Sequence, residues 1–247
     1  MTDFIAAQDC EFLQRHELDT FDALWALQLK AVDEPNTERG GWSSVYRLDL
    51  GERAYYLKRQ SNHLTRSFNH PLGEPTFARE FRNIRRYSEL GIPTLQAAFF
   101  AQRRLDGEQR AILLTRALDG WHDLEVYLKG WSQLEGAVQR QVLRSCGRLA
   151  RQLHQAGQMH GCFYPKHIFL RAEGQLFRSC LIDLEKTRPL WFGRRDRIKD
   201  LETLLRRTSE WDAGQIREFL HAYLDGEQAV QYWWQRLERR RQRKEAR

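Results

Sequence analysis

A chain of 247 residues with 41% hydrophobic content and no apolar run near the roughly 18 to 20 residues needed to span a bilayer excludes a disordered chain and a membrane-spanning helix, and leaves one large globular domain or a two-lobed one. The start, MTDFIAAQDCEF, lacks the basic and apolar regions of a signal peptide, and Cys10, Cys146, Cys162 and Cys180 show no CxxC or Cys/His metal spacing, so the expectation is a cytoplasmic protein with free thiols. The formal charge of +7 is uneven: from Arg236 onward seven basic residues stand against Glu238 and Glu245, which leaves the body of the chain close to neutral.

In chain order, a helical stretch from about Thr20 to Val32 precedes the turn-rich DEPNTERGG. SSVYRLDL and AYYLKRQ, split by Gly51-Glu52, predict a β-hairpin. HLTRSFNHPLG is polar and predicts a loop. PTFAREFRNIRRYSELG then places Phe77, Phe81, Ile84, Tyr87 and Leu90 at helical spacing, with Gly91 as a stop. TLQAAFFAQRR and RAILLTRAL predict two further strands joined by LDGE. The second half turns helical from DLEVYLKGW. Its longest predicted helix, GAVQRQVLRSCGRLARQLHQAG, aligns Val138, Val142, Leu149 and Leu153 and ends at Gly157. MHGCFYPKHIFL reads as a loop entering a strand, LFRSCLIDLEK as a second short strand ending at Asp183, and two more helices follow. In the C-terminal QYWWQRL and the basic run beyond it, two readings stand: a solvated helix end whose Trp233 and Trp234 pack on the domain, or a surface that lies on an anionic membrane. No nucleic-acid-binding signature accompanies the charge, so no specific nucleic acid is expected.

Four positions carry the chemistry. Lys58 ends a strand, Glu80 sits in the following helix, MHGCFYPKHIFL supplies a polar loop and Asp183 closes an apolar strand. Transfer of a phosphoryl group needs a lysine aimed at phosphate oxygens, a carboxylate to hold it, and an acidic metal ligand on a separate rigid element. RGGWSSVYRL offers Gly40, Gly41 and Ser43 as small residues whose backbone N–H groups suit phosphate, although two glycines fit a plain hairpin turn equally well. Asp183 as a turn cap is the alternative to Asp183 as a metal ligand.

From about Arg39 to about Leu205 these segments resemble the InaA/WaaP group of bacterial lipopolysaccharide kinases, within the protein-kinase-like superfamily. The resemblance implies an α+β, bilobal protein-kinase-like fold: a small antiparallel β-sheet lobe with one αC-type helix over residues 39–118, and a mainly helical lobe over 119–235. Residues 1–38 become an N-terminal helical extension and 236–247 a basic tail. It implies ATP and Mg2+ as cofactors, with Gly40, Gly41, Ser43, Lys58 and Glu80 on the nucleotide and Asp183 on the metal. The implied acceptor is a sugar hydroxyl of lipopolysaccharide core (heptose) or a related glycan, with peripheral contact at the cytoplasmic face of the inner membrane through the basic tail. Lys58, His160 and Cys162 become the catalytic candidates.

One departure bears on activity. Where the group's catalytic loop reads His, Arg, Asp, this chain reads His160, Gly161, Cys162, and a thiol is a poor orienter of a sugar hydroxyl. His160 has two readings, proton acceptor or buried anchor. His167 falls where protein kinases place a second metal-binding Asn; a neutral imidazole suits hydrogen bonding there better than magnesium. Asp200 is expected to tie the loop down by accepting backbone N–H groups. The chain is therefore expected to be a kinase with unorthodox proton transfer or, as the alternative, a pseudokinase that serves as a nucleotide-binding stress-response or signalling module.

Overall fold

The computed structural model describes residues 3–67 and 70–245. It divides into two compact units, Met1–Arg86 with Leu95–Asp119, and Tyr87–Thr94 with Gly120–Arg247.

In the first unit, β1 (Phe4–Ile5), α1 (Ala7–Arg15) and α2 (Phe21–Ala26) precede β2 (Trp42–Asp49) and β3 (Ala54–Ser61). A second hairpin, β4 (Leu64–Ser67) and β5 (His70–Pro75), leads into α3 (Thr76–Glu89), followed by β6 (Ala97–Leu105) and β7 (Glu108–Arg116). The main sheet is antiparallel in the order β1-β6-β7-β3-β2. Period-2 alternation gives it two working faces. Tyr55 and Leu57 of β3, with Leu48, Phe99, Ile112 and Leu114, pack against Phe12, Leu13, Phe21 and Leu24 of the N-terminal helices. On the other face Phe100 stacks on Phe81 of α3, centroids 4.3 Å apart.

Two local expectations change here. The N-terminal helix ends at Ala26 rather than near Val32, because Ala31 bridges Tyr46 and the Val32 N–H donates to the Val45 carbonyl, an edge pairing that draws the chain into extended form. HLTRSFNHPLG is not a loop: β4 and β5 pair antiparallel, Leu64 opposite Pro75, while residues 68 and 69 lie outside those described. The N-terminal helices pack on the sheet of the first unit. Buried Asp9 accepts from Tyr55 Oη at 2.9 Å and from Arg116 Nε at 3.0 Å, tying α1 to the sheet.

The second unit contains β8 (His122–Asp123), α4 (Leu124–Lys129), α5 (Gly136–Gln155), β9 (Gln158–Met159), β10 (Ile168–Glu173), β11 (Leu176–Leu181), β12 (Arg188–Pro189), α6 (Arg194–Leu205), α7 (Ala213–Tyr223) and α8 (Glu227–Glu245). Small antiparallel sheets, β11-β10-β8 and β12-β9, carry the polar loops, and α5 buries Val142, Leu149 and Leu153. All four cysteines are unpaired thiols. Along α8, Val230, Trp233 and Leu237 are buried, with Trp233 edge-on to Tyr223, so the first tryptophan of QYWW packs on the domain. Of the basic tail, residues 246 and 247 lie outside those described. Among the described residues no helix is long and apolar enough to cross a membrane.

Candidate functional site

In the first unit, strand β3 positions everything by alternation. With Tyr55 and Leu57 turned to the N-terminal helices, Lys58 and Gln60 share the opposite face, toward α3. The Gln60 side-chain oxygen accepts from the Phe77 N–H and the Thr76 hydroxyl, both at 2.8 Å, while its amide donates to the His63 carbonyl. Gln60 therefore satisfies one of the N–H groups that the first turn of a helix leaves unpaired, and fixes where α3 begins. Glu80, one turn further, then accepts from Lys58 Nζ at 2.6 Å; the lysine side chain is 16% exposed and the glutamate 4%. The sequence marks Lys58 and Glu80 but not Gln60, whose signal is its place two residues beyond a strand lysine.

The glycine-rich segment has its own reason. A Cβ on Gly41 would lie 2.2 Å from the Ser61 carbonyl oxygen and 2.3 Å from the Asn62 carbonyl carbon, so chain packing alone demands glycine there. The Ser43 N–H donates to the Asn36 carbonyl at 2.8 Å. Gly40 is exposed with φ +76°, and Trp42 leans on Trp25, centroids 5.8 Å apart.

In the second unit, Asp200 of α6 holds the polar loop as expected. Its carboxylate, 1% exposed, accepts from the His160 N–H at 2.6 Å and the Gly161 N–H at 3.0 Å. The His160 ring is fully buried. Nε2 contacts the Ile182 carbonyl at 2.9 Å and must donate, since a carbonyl only accepts; Nδ1 is then the acceptor for the Cys162 N–H at 3.3 Å. Both nitrogens are engaged in a neutral tautomer, and burial holds the basicity of this ring below the ordinary histidine value. Cys162 is 7% exposed, and its carbonyl accepts from the Tyr164 N–H and from His167 Nδ1, each at 2.8 Å. Gly161 has φ +79°, and a Cβ there would meet the Lys186 carbonyl oxygen at 2.6 Å. The arginine of the usual His-Arg-Asp order thus has no room in this loop conformation.

Asp183 follows β11 in left-handed backbone, φ 56° and ψ 64°, a conformation aspartate tolerates better than most residues. Its carboxylate is 47% exposed and reaches His167 Nε2 at 3.2 Å. With Nδ1 donating to Cys162, Nε2 of the neutral ring presents a lone pair to a carboxylate oxygen. Burial lowers the basicity of His167, and the Asp183 charge opposes that. The contact is satisfied by a proton on Nε2 or by a cation at the carboxylate. The exposed ammonium of Lys166, on the same short turn, lowers the His167 affinity for a proton. Lys166 was legible only as the basic residue of PKH. Lys58, Glu80, Gly40, Gly41 and Ser43 thus lie in the first unit, and His160, Cys162, His167 and Asp183 in the second.

The profile of the lipopolysaccharide kinase (Kdo/WaaP) family matches residues 22–223. The chain belongs to this family. Protein InaA of Escherichia coli (strain K12) is 28% identical, over 83% of this chain and 96% of that protein. The lipopolysaccharide core heptose(I) kinase WaaP of Pseudomonas aeruginosa is 26% identical, over 76% of this chain and 81% of its own length. A solved structure of WaaP in complex with acyl carrier protein superposes with a TM-score of 0.70 at 24% identity, covering 98% of this chain and 99% of that one, which shows a shared protein-kinase-like fold. Membership supports a kinase-like function and, with it, a nucleotide substrate used with a metal.

Proposed function

We propose that the protein binds MgATP and transfers the terminal phosphoryl group slowly to a sugar hydroxyl of lipopolysaccharide core or a related glycan. The observation that carries this reading is the Lys58–Glu80 pair at 2.6 Å. Removing both charges from water costs several kcal/mol, and apolar residues would hold α3 on the sheet at least as well, so the pair is better explained by a lysine that must stay charged and aimed. In this reading Lys58 contacts nucleotide phosphate and Glu80 orients it.

The residues present fit magnesium. Asp183 offers a half-exposed hard oxygen donor, which suits an ion held by one carboxylate, water and phosphate. When bound, magnesium would neutralise phosphate charge. His167 buttresses the Asp183 carboxylate; Asp200 and the His160 ring hold the loop in shape. Of the two readings of His160, its doubly engaged ring favours the anchor. Proton removal from the acceptor then has no assigned base, since the Cys162 thiol is buried. General-base catalysis is worth about 10²- to 10⁴-fold, whereas phosphoryl transfer draws mainly on positioning and charge, so the reaction is slowed rather than abolished.

The same buried thiol favours the second reading, a pseudokinase that binds nucleotide as a stress-response or signalling module. Both readings place the protein in the cytoplasm, with peripheral contact at an anionic inner-membrane face. The deciding experiment is phosphate transfer from ATP to dephosphorylated lipopolysaccharide core by wild type and Cys162→Asp. Transfer by both supports the kinase; transfer by the variant alone identifies the pseudokinase. Failure of ATP with magnesium to raise the melting temperature removes both readings.

A further inference from the structure

The most exposed aromatic pair in the second unit is not part of the basic tail or of QYWW. Trp191 is 67% exposed and Phe192 62%, at the turn entering α6. They are held out rather than hanging loose. Asp196, buried, accepts from the Phe192 N–H at 3.0 Å and receives both guanidinium nitrogens of Arg188 at 2.8 Å; the Arg188 guanidinium in turn lies 4.5 Å from the Trp191 ring centroid. The turn is thus fixed by its one acidic residue, which is fully used in fixing it.

What surrounds the rings is basic. Arg194 and Arg195 are exposed in the first turn of α6, where the helix dipole disfavours cations, and among the described residues neither pairs with a carboxylate. Arg194 donates to the hydroxyl of Tyr232, itself 44% exposed, and Arg195 lies over the Phe192 ring. Arg194–Tyr232 and Arg240–Glu202 are both 38 residues apart in sequence, so α6 and α8 run side by side in the same direction. Between their first turns opens a depression of about 440 Å³ lined by Arg194, Arg197, Tyr232 and Trp233.

From this we propose that the Trp191–Phe192 turn, with Arg194, Arg195 and the depression behind them, seats the protein on an anionic phospholipid surface. The two rings would enter the headgroup boundary, where tryptophan and tyrosine partition well, and the arginines would receive headgroup phosphates. An exposed aromatic tip beside two guanidinium groups that pair with no carboxylate among the described residues, and backed by a depression lined by Arg194 and Arg197, complements such a surface on both counts. The proposal shares the membrane location with the functional reading but is independent of nucleotide binding. It also differs from contact through the tail, which begins at Arg236 and supplies none of these residues.

The test is co-sedimentation of the full chain with vesicles of phosphatidylcholine alone or mixed with phosphatidylglycerol. Wild type is expected to bind the mixed vesicles and ignore the neutral ones. The pair Trp191→Ser with Phe192→Ser should weaken binding by about 10-fold or more, and Arg194→Glu with Arg195→Glu by a similar factor that shrinks as salt is raised. Because these side chains are exposed, melting temperature and its rise with ATP and magnesium should match wild type in the same preparations. No binding to mixed vesicles, equal binding to both kinds, or loss only on reversing Arg236 and Arg239 would overturn the proposal. So would a surface that ignores vesicles yet binds a purified acidic carrier protein through the same four residues.

Discussion

In the first unit a lysine and a glutamate are withdrawn from water and left charged, 2.6 Å apart, whereas in the second two histidines are withdrawn from water and held toward neutrality by burial. A buried ion pair contributes little net stability, while neutral imidazoles donating to carbonyls stabilise a loop at small cost. Under the proposed function, the Lys58–Glu80 ion pair is kept for the nucleotide despite the desolvation penalty, while the loop at His160–Cys162 is packed around a buried thiol.

The largest expected effect breaks the comparison at the proposed metal ligand. Asp183→Asn should abolish the magnesium-dependent part of ATP-induced thermal stabilisation while leaving the melting temperature without ligand nearly unchanged, because the side chain is half exposed and asparagine also tolerates the left-handed backbone. Next, Cys162→Asp sharpens the contrast by restoring an acid to the loop, with an expected rise in phosphotransfer of about 10²-fold, read as labelled phosphate on dephosphorylated core. Glu80→Gln leaves Lys58 without its counter-charge and should weaken ATP binding about 10-fold, or 1.4 kcal/mol, by calorimetry. Gly161→Ala meets both positive φ and the Lys186 carbonyl, and should cost about 2 kcal/mol of unfolding free energy in urea.

The smallest effects appear in the pH dependence of melting. His160 and His167 bind protons less readily folded than unfolded, so their contribution is present above the ordinary value of 6.5 and is lost as pH falls below it. The Arg188 guanidinium draws Asp196 from 3.8 down to about 2, so its contribution is lost between those values. Two separate acid limbs are expected, and Asp196→Asn should remove only the lower one.

Much of this was legible in residues whose pattern and chemistry agree. Helical spacing from Phe77 to Tyr87 fixes α3, and Lys58, Glu80 and Asp200 found the partners their types suggest. What escaped depended on contacts distant in sequence. HLTRSFNHPLG is polar enough for a loop, yet its backbone pairs with itself across β4 and β5. Gly41 looks like a phosphate turn, but the reason for glycine lies twenty residues on, in the backbone at Ser61. Nothing in the sequence marks Trp191 and Phe192 as exposed, because the contact of the Phe192 N–H with the Asp196 carboxylate shows only in the folded chain.

The Lys186 carbonyl that crowds Gly161 has a consequence for anyone seeking to rebuild the missing machinery. Installing aspartate at position 162 alters a side chain on a backbone already in place, and is a single step. Installing arginine at 161 requires the segment around Lys186 to retreat first, so the full His-Arg-Asp tripeptide lies across a structural barrier that one substitution does not cross.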